Sequence, residues 1–263
     1  MQIAIVIPTY NERSNVERLV PEIERATRDI LHSSLNKESP AQTKNEIHIV
    51  IVDDDSSDGT GDAVLLMASR VDNIHLIKRP RKMGLGSAYR DAFEWITKNL
   101  DAKVIIQMDA DLSHPPNLLS KMIKLVGDGS TDVVVASRYL ETGGSENWPI
   151  HRRIISKGAN WLAKSVLGIK VNDITSGYRA YNASCISELL SSNFSSSGYD
   201  YQIEVLYILS RLGKKVTEIP FIFANREEGK SKLGIKDILR FASTVLKLRF
   251  HSANRTKVHV MAS

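Results

Sequence analysis

Val104-Ile105-Ile106-Gln107-Met108-Asp109-Ala110-Asp111-Leu112-Ser113-His114-Pro115-Pro116 is the stretch that decides the fold. A strand-length apolar run, Val104–Met108, delivers two aspartates into a turn. Pro115-Pro116 then ends extended structure and opens a helix, because proline fixes φ and suits a first helical turn. Side chains two apart at an extended strand end share a face, so Asp109 and Asp111 can converge. Two carboxylates held together repel, and a hard divalent cation relieves the repulsion by taking their oxygens. A lone Asp-x-Asp also describes two turn-capping aspartates, so its place after a strand and its agreement with other motifs carry the weight.

Toward the N-terminus, apolar runs at Ile3–Ile7, Ile47–Val52 and Ile74–Ile77 alternate with helical patterns from about Asn15 to Leu31, Gly61 to Ser69 and Gly86 to Leu100. Toward the C-terminus follow a helix from about Asn117 to Leu125 and a strand, Asp132–Ala136. This alternation predicts an α/β fold built of βαβ units, a mostly parallel central sheet with helices on both faces. Ligands of such sheets sit beyond the carboxyl ends of the strands. Three polar motifs fall there: Pro8-Thr9-Tyr10-Asn11-Glu12, Asp53-Asp54-Asp55-Ser56 and Asp109-Ala110-Asp111. In the second, Ser57 to Thr60 supply turn and N-cap chemistry, and Asp58 reads as structural. Asp53 or Asp54 could accept hydrogen bonds from a base or ribose. Asp55 stands where glycine is commoner in such a turn, which suggests a positive φ.

The second half reads as helical from about Arg152 to Leu167, near Ser184–Leu190 and from Tyr201 to Leu212, with a strand Val216–Phe223 broken by Pro220. Residues 33–45 read as a polar surface loop. Glu141 to Asn147, with paired glycines, reads either as a mobile loop or lid or as a plain linker. No internal repeat or composition shift is visible. The expectation is one domain over residues 1–235 and a basic amphipathic helix with a tail over 236–263.

The 263 residues, 42% of them hydrophobic, suffice for one full core. The single cysteine, Cys185, excludes an intramolecular disulfide, suits a reducing compartment and reads as a small core residue. The chain opens directly on the Ile3–Ile7 strand, so no signal peptide is read. No apolar run reaches the roughly 18 residues of a membrane span, and a cytoplasmic location is expected. A net charge of +5 concentrates in Lys78-Arg79-Pro80-Arg81-Lys82, Arg152-Arg153 and the segment from Lys230 to Lys257. Such patches attract phosphate-bearing partners, although any one of them also fits a solvated helix face. Nucleic acid is not expected, because an aromatic-studded groove signature is missing.

These motifs resemble family 2 glycosyltransferases, whose nucleotide-binding fold is GT-A, and within the family the dolichol-phosphate mannose synthase group. The likeness continues through Lys82-Met83-Gly84-Leu85-Gly86-Ser87-Ala88-Tyr89, Ser137-Arg138-Tyr139, Arg153-Ile154-Ile155-Ser156-Lys157-Gly158-Ala159-Asn160, Ser176-Gly177-Tyr178-Arg179 and Arg226-Glu227-Glu228-Gly229-Lys230-Ser231-Lys232-Leu233-Gly234. It spans about residues 2 to 250. The resemblance implies mannose transfer from GDP-mannose to a membrane polyprenyl (dolichyl) phosphate, with inversion and with Mg²⁺ or Mn²⁺. It implies that Pro8, Tyr10, Glu12, Val52 and Asp54 surround the guanine nucleotide. Asp109 and Asp111 would hold the metal with the Ala110 backbone nearby, and Arg138, Arg226 and Lys232 would reach phosphates. Ser113 stands where some relatives place a glutamine in the metal shell, and Asp55 replaces the usual glycine.

A phosphomonoester with a second pKa of about 6 is mostly a dianion at neutral pH and needs no general base. Catalysis would then rest on positioning, metal and cations. Arg138, Arg153, Arg179, Arg226 and Lys232 are the available counter-charges, with Arg138 and Lys232 expected to act on both substrates. Arg153 and Ser156 fit either an exposed helix start or a lipid-phosphate site where backbone N–H groups and an arginine converge. Arg179 fits either a structural ion pair or an acceptor contact. Ile238, Leu239, Phe241, Ala242, Val245 and Leu246 recur at helical spacing, flanked by Lys236, Arg240, Lys247 and Arg249. That helix would pack on the sheet or lie peripherally in a membrane interface, the lipid acceptor favouring the second. A small membrane-anchor subunit is a possible partner. The competing functions are a UDP-glucose or UDP-GlcNAc polyprenyl-phosphate transferase and a non-catalytic module that binds sugar nucleotide or membrane.

Overall fold

The computed structural model describes residues 1–33, 45–146, 148–192, 194–224 and 239–250. In chain order the elements are β1 (Gln2–Thr9), α1 (Arg13–Ser33), β2 (Glu46–Asp53), α2 (Thr60–Ala68), β3 (Ile74–Lys78), α3 (Leu85–Asn99) and β4 (Ala102–Gln107). A 3-10 turn, Pro116–Leu118, leads into α4 (Leu119–Gly127), followed by β5 (Val133–Ser137), β6 (Gly144–Ser145), α5 (Ile150–Leu167), β7 (Arg179–Asn182) and α6 (Ala183–Ser191). Then come α7 (Tyr201–Arg211), β8 (Val216–Pro220), β9 (Ile222–Phe223) and a last helix, α8, at 239–250.

Seven strands form one sheet in the order β3-β2-β1-β4-β7-β5-β8. It is parallel except for β7, which runs antiparallel to both β4 and β5. The expected α/β architecture is present, and β7 is the addition. Its Arg-Ala-Tyr-Asn sequence carries no apolar run, so nothing local marks it as a central strand. Alternation along β1 splits the core: Ala4 and Val6 face a layer with Tyr89 and Phe93 of α3, while Ile3, Ile5 and Ile7 face one with Leu19 and Ile23 of α1 and Met122 of α4. Burial on both faces is why these strands read as unbroken apolar runs.

Central β1, flanked by β2 and β4, brings the three motif-bearing strand ends side by side. Thr9 pairs with Asp53, and Val6 with Gln107. The strand β4 ends at Gln107, one residue before the expected Met108, whose N–H still donates to the Val6 carbonyl at 3.1 Å. Asp109 and Asp111 therefore lie in the turn after β4 and not on its pleated strand.

Two glycines fasten the first half of the chain to the second. Cβ atoms at Gly84 (φ 98) and Gly86 would lie 2.5 Å from the Ser197 carbonyl oxygen and 2.3 Å from that of Ser196. Only glycine lets the start of α3 come so near another backbone.

Of the stretch expected to be a loop, lid or linker, Gly144 and Ser145 form β6, paired in parallel with β9. The expected strand Val216–Phe223 is divided, with β8 in the main sheet and β9 in this small one, the break falling at Pro220-Phe221. The polar loop predicted for residues 33–45 lies largely outside the described residues. Cys185 is buried, and burial pushes its thiol pKa up to about 11, which fits the core role expected of it. In α8, Val245 enters the core and Phe241 and Leu248 pack beside it, whereas Leu239, Leu246 and Phe250 are exposed. The apolar positions expected to act together are thus divided, some packed on the core and some open to solvent. Among the described residues no helix is long and apolar enough to cross a membrane.

Candidate active site

The loops after β1 and β2 are laced together by side chains. Ser56 Oγ accepts from the Asn11 N–H at 2.8 Å, Thr60 Oγ1 from the Glu12 N–H at 3.0 Å, and Asp58 Oδ2 from the Arg13 N–H at 3.0 Å. In return Asn11 Oδ1 accepts from the Ser57 N–H at 2.9 Å. Asp53 is buried and consumed locally: Oδ1 takes hydrogen bonds from Thr9 and Ser56 hydroxyls, and Oδ2 from the Ser56 N–H. It is a turn clamp. Of the two candidates for base or ribose contact, Asp54 is the one not used to close that turn.

Asp54 is held from the other side. Arg79 Nη1 lies 2.6 Å from its Oδ1, and the Met83 N–H donates to its Oδ2 at 3.3 Å. Burial raises the Asp54 carboxyl pKa, with Arg79 and the Met83 and Gly84 amides opposing. Arg79 also lies 3.0 Å from Asp91 and is only 3% exposed. Sequence reading left Arg79 within a basic surface patch, but packing makes it an internal counter-charge. Pro8 and Tyr10 are partly exposed, Glu12 is half-buried and accepts from the Asn15 amide at 2.6 Å, and Val52 is buried. The Lys82 ammonium lies 3.9 Å above the Tyr10 ring.

The third loop carries the acid pair. Asp109 keeps 30% of its side chain exposed, whereas Asp111 is buried. Ser113 is fully buried, and its hydroxyl and N–H both donate to Asp111 Oδ1. These two bonds fix the orientation of the aspartate. His114 accepts the Asp109 N–H at Nδ1, at 2.9 Å, so the neutral ring carries its proton on Nε2, which lies 3.9 Å from Asp109 Oδ2. The imidazole is stacked on Tyr178, 4.9 Å between centroids and 8° between planes. Nothing in the sequence pattern marks His114 for this place, although it lies inside the motif.

Among the described residues only Asn11, Asp55 and Leu112 are non-glycines with positive φ, at 56°, 60° and 61°. One falls in each motif, as anticipated for Asp55 alone. Residues held in that region cost about 1–3 kcal/mol each and persist where surrounding structure enforces them.

Across from the acids sits the segment 172–178. Asp173, fully buried, grips the Arg138 guanidinium through two 2.7 Å contacts, and the Thr175 hydroxyl accepts a third bond at 2.8 Å. Burial opposes the Arg138 charge, but Asp173 outweighs it and raises the pKa, with a smaller contribution from Asp109. Arg138 is therefore fixed by Asp173, with Asp109 close enough to add to the field that favours its charge. Gly177 closes the gap, its Cβ position 3.7 Å from Asp109 Oδ1.

Behind it Arg179 is fully buried and donates to the carbonyls of Gln202 and Ile174 at 2.8 and 2.7 Å. Neither an acceptor contact nor the alternative ion pair describes it, because it satisfies the main chain around β7. Helix α5 begins at Ile150, two residues before the expected Arg152, so the Arg153 N–H is already bonded to the Pro149 carbonyl. Free backbone donors do not converge at Arg153. Its guanidinium reaches the Ser145 carbonyl at 3.0 Å, and the Ser156 hydroxyl accepts from Tyr139 at 2.7 Å. Arg226 and Lys232 lie outside the described residues.

Asp109 and Asp111 offer hard oxygen donors, and among the described residues no cluster of three His, Cys, Asp or Glu could hold an ion. Two carboxylates completed by ligand oxygens and water are a donor set that Mg²⁺ and Mn²⁺ accept. The residues present thus fit a cation shared with a diphosphate.

Residues 4–190 match the family model described as Glycosyl transferase family 2. Polyprenol monophosphomannose synthase of Mycolicibacterium smegmatis is 36% identical over 89% of this chain and 82% of its own length. Undecaprenyl-phosphate mannosyltransferase of Micrococcus luteus is 35% identical over 89% and 88%. Among solved structures, glucosyl-3-phosphoglycerate synthase from Mycobacterium tuberculosis, in complex with Mn²⁺, UDP-glucose and phosphoglyceric acid, superposes with a TM-score of 0.64 at 15% identity, covering 94% of this chain and 79% of that one. Mannosyl-3-phosphoglycerate synthase from Rubrobacter xylanophilus gives 0.63 at 17% identity, covering 98% and 75%.

Proposed function

The chain belongs to glycosyl transferase family 2 and is a glycosyltransferase, and from that premise we propose that it transfers mannose from GDP-mannose to a polyprenyl (dolichyl) phosphate, with inversion and with Mg²⁺ or Mn²⁺. The observation that carries this reading is the meeting of three strand-end motifs around Asp109 and Asp111, supported by two relatives whose names combine mannose with a polyprenyl acceptor.

On this reading Asp109 and Asp111 hold the cation, which when bound supplies Lewis-acid stabilisation of charge on the departing diphosphate. Two solved neighbour complexes hold a divalent ion, one Mg²⁺ with UDP and one Mn²⁺ with UDP-glucose. Pro8, Tyr10, Glu12, Val52 and Asp54 line the nucleoside end, with the Ala110 backbone near the sugar diphosphate. Arg138, fixed by Asp173, and beyond the described residues Arg226 and Lys232, counter the phosphates of both substrates. Arg153 and Ser156 flank the acceptor headgroup. The acceptor is already ionised, so an oxygen of its phosphate attacks the anomeric carbon as the C–O bond to GDP breaks opposite, turning α-linked donor into β-linked product. Residues 1–235 form the catalytic unit, and 236–263 serve attachment. The exposed Leu239, Leu246 and Phe250 favour a peripheral position on the cytoplasmic face of a membrane, with a small anchor subunit as a possible partner.

The test supplies purified protein with radiolabelled GDP-mannose, UDP-glucose or UDP-GlcNAc, a polyprenyl phosphate and Mg²⁺. Label should pass to the lipid phase from GDP-mannose, cease with EDTA, and fall by about a thousandfold or more in Asp109→Ala with folding intact. Label from a UDP-sugar alone would replace the donor, and full activity in EDTA would remove the metal.

A further inference from the structure

Helix α5 turns two very different faces to its surroundings. Inward, Ser156 meets Tyr139, Ala163 is fully buried, and Asn160 Oδ1 accepts the Ile174 N–H at 2.7 Å, which ties the helix to the segment gripping Arg138. Outward, Ile150 is 76% exposed, Ile154 65% and Trp161 70%. These positions fall at i, i+4 and i+11, which a helix stacks on one side, and Lys157 at i+7 shares it. Ile155, 41% exposed, widens the stripe. Arg153 and Lys164 border it, and the 18 residues of α5 contain no aspartate or glutamate.

We propose that this outer face of α5 is a membrane-contact surface, its isoleucines and Trp161 entering the headgroup boundary of an anionic bilayer while Arg153, Lys157 and Lys164 meet lipid phosphates. Exposed apolar side chains in one stripe mark a contact site, and an all-cationic margin is complementary to anionic lipid. Tryptophan suits the boundary because its ring is apolar and its N–H polar. Since the inner face holds the segment beside the acid pair, contact through the outer face would bring the site to the surface where a lipid acceptor's phosphate lies. This deepens the polyprenyl-phosphate reading and rests on it for its purpose. It is distinct from α8, whose exposed residues belong to another helix.

The test is flotation with vesicles of phosphatidylcholine, with and without phosphatidylglycerol, in the absence of donor and acceptor. The full chain should float with the anionic vesicles, and its tryptophan emission should shift to the blue. Of its three tryptophans Trp148 is buried and Trp95 partly so, and Trp161→Phe should abolish the shift. The double variant Ile154→Asp/Trp161→Asp should lower vesicle partitioning by about tenfold or more, as withdrawing two large apolar groups requires. Its melting curve should be unchanged, because both side chains are already in water. Lys157→Glu should weaken binding to anionic vesicles only. Undiminished partitioning of the double variant, flotation without a Trp161 shift, or no flotation with either vesicle would overturn the proposal. So would self-association in sedimentation velocity that the double variant abolishes, which would give the face to a second copy. Transfer to a short, water-soluble polyprenyl phosphate should persist in the double variant. Its absence in the unaltered chain would instead count against the proposed acceptor.

Discussion

Where the loops after β1 and β2 meet, main-chain amides of Asn11, Glu12 and Arg13 are received by side chains 45 to 48 residues further along. Around α5 the polar bonds also run inward, to Tyr139 and Ile174, but the opposite face shows isoleucine and tryptophan to solvent. The first region, proposed for the donor, is closed on itself and carries Asn11 and Asp55 in left-handed conformation. The second, proposed for the acceptor, is half-finished as a protein surface. A soluble nucleotide needs a rigid cradle whose cost is met once during folding. A lipid needs a surface that something other than protein completes.

The strongest way to break this contrast is Arg79→Leu. It leaves Asp54 buried without its cation and removes the pair with Asp91, so stability should fall by about 3–5 kcal/mol in urea titrations, with weaker nucleotide binding in whatever remains folded. A loss below about 1 kcal/mol would mean that the donor side is not held together by this charge. Asp173→Asn should cost less, about 2–3 kcal/mol, since the amide oxygen still accepts from Arg138. It sharpens the comparison if kcat drops by a larger factor than nucleotide affinity, read by calorimetry, since Arg138 is proposed to meet the phosphates of both substrates. An equal fall in kcat and in nucleotide affinity would place Arg138 on the donor side alone. Asp55→Gly should have the smallest effect, a gain of up to about 1 kcal/mol, because glycine tolerates a φ of 60° without a Cβ clash. A clear loss, read as a lower melting temperature, would show that the carboxylate and not the turn geometry matters there.

The legible parts were those whose physics is local. Apolar runs of strand length, helical spacing and turn residues placed every strand from β1 to β5 within two residues, and put the acid pair after β4. The same locality hid β7, whose four residues are central only because β4 and β5 lie on either side. It hid His114, since nothing in a His-Pro-Pro sequence tells that the ring folds back to accept the Asp109 N–H.

Arginines show the boundary most plainly. Arg79, Arg138 and Arg179 are alike on paper, yet one neutralises Asp54, one is clamped by Asp173, and one is buried against main-chain carbonyls. The sequence by itself determined the parallel sheet, the position of the three motifs at its carboxyl edge and the carboxylates available to a cation, because periodicity and turn chemistry act over a few residues. Which charges face the site and which disappear into the framework was decided only by tertiary structure. The energy of a charge depends on the solvent it loses and the partner it meets, and in this chain those partners lie 25 and 35 residues away.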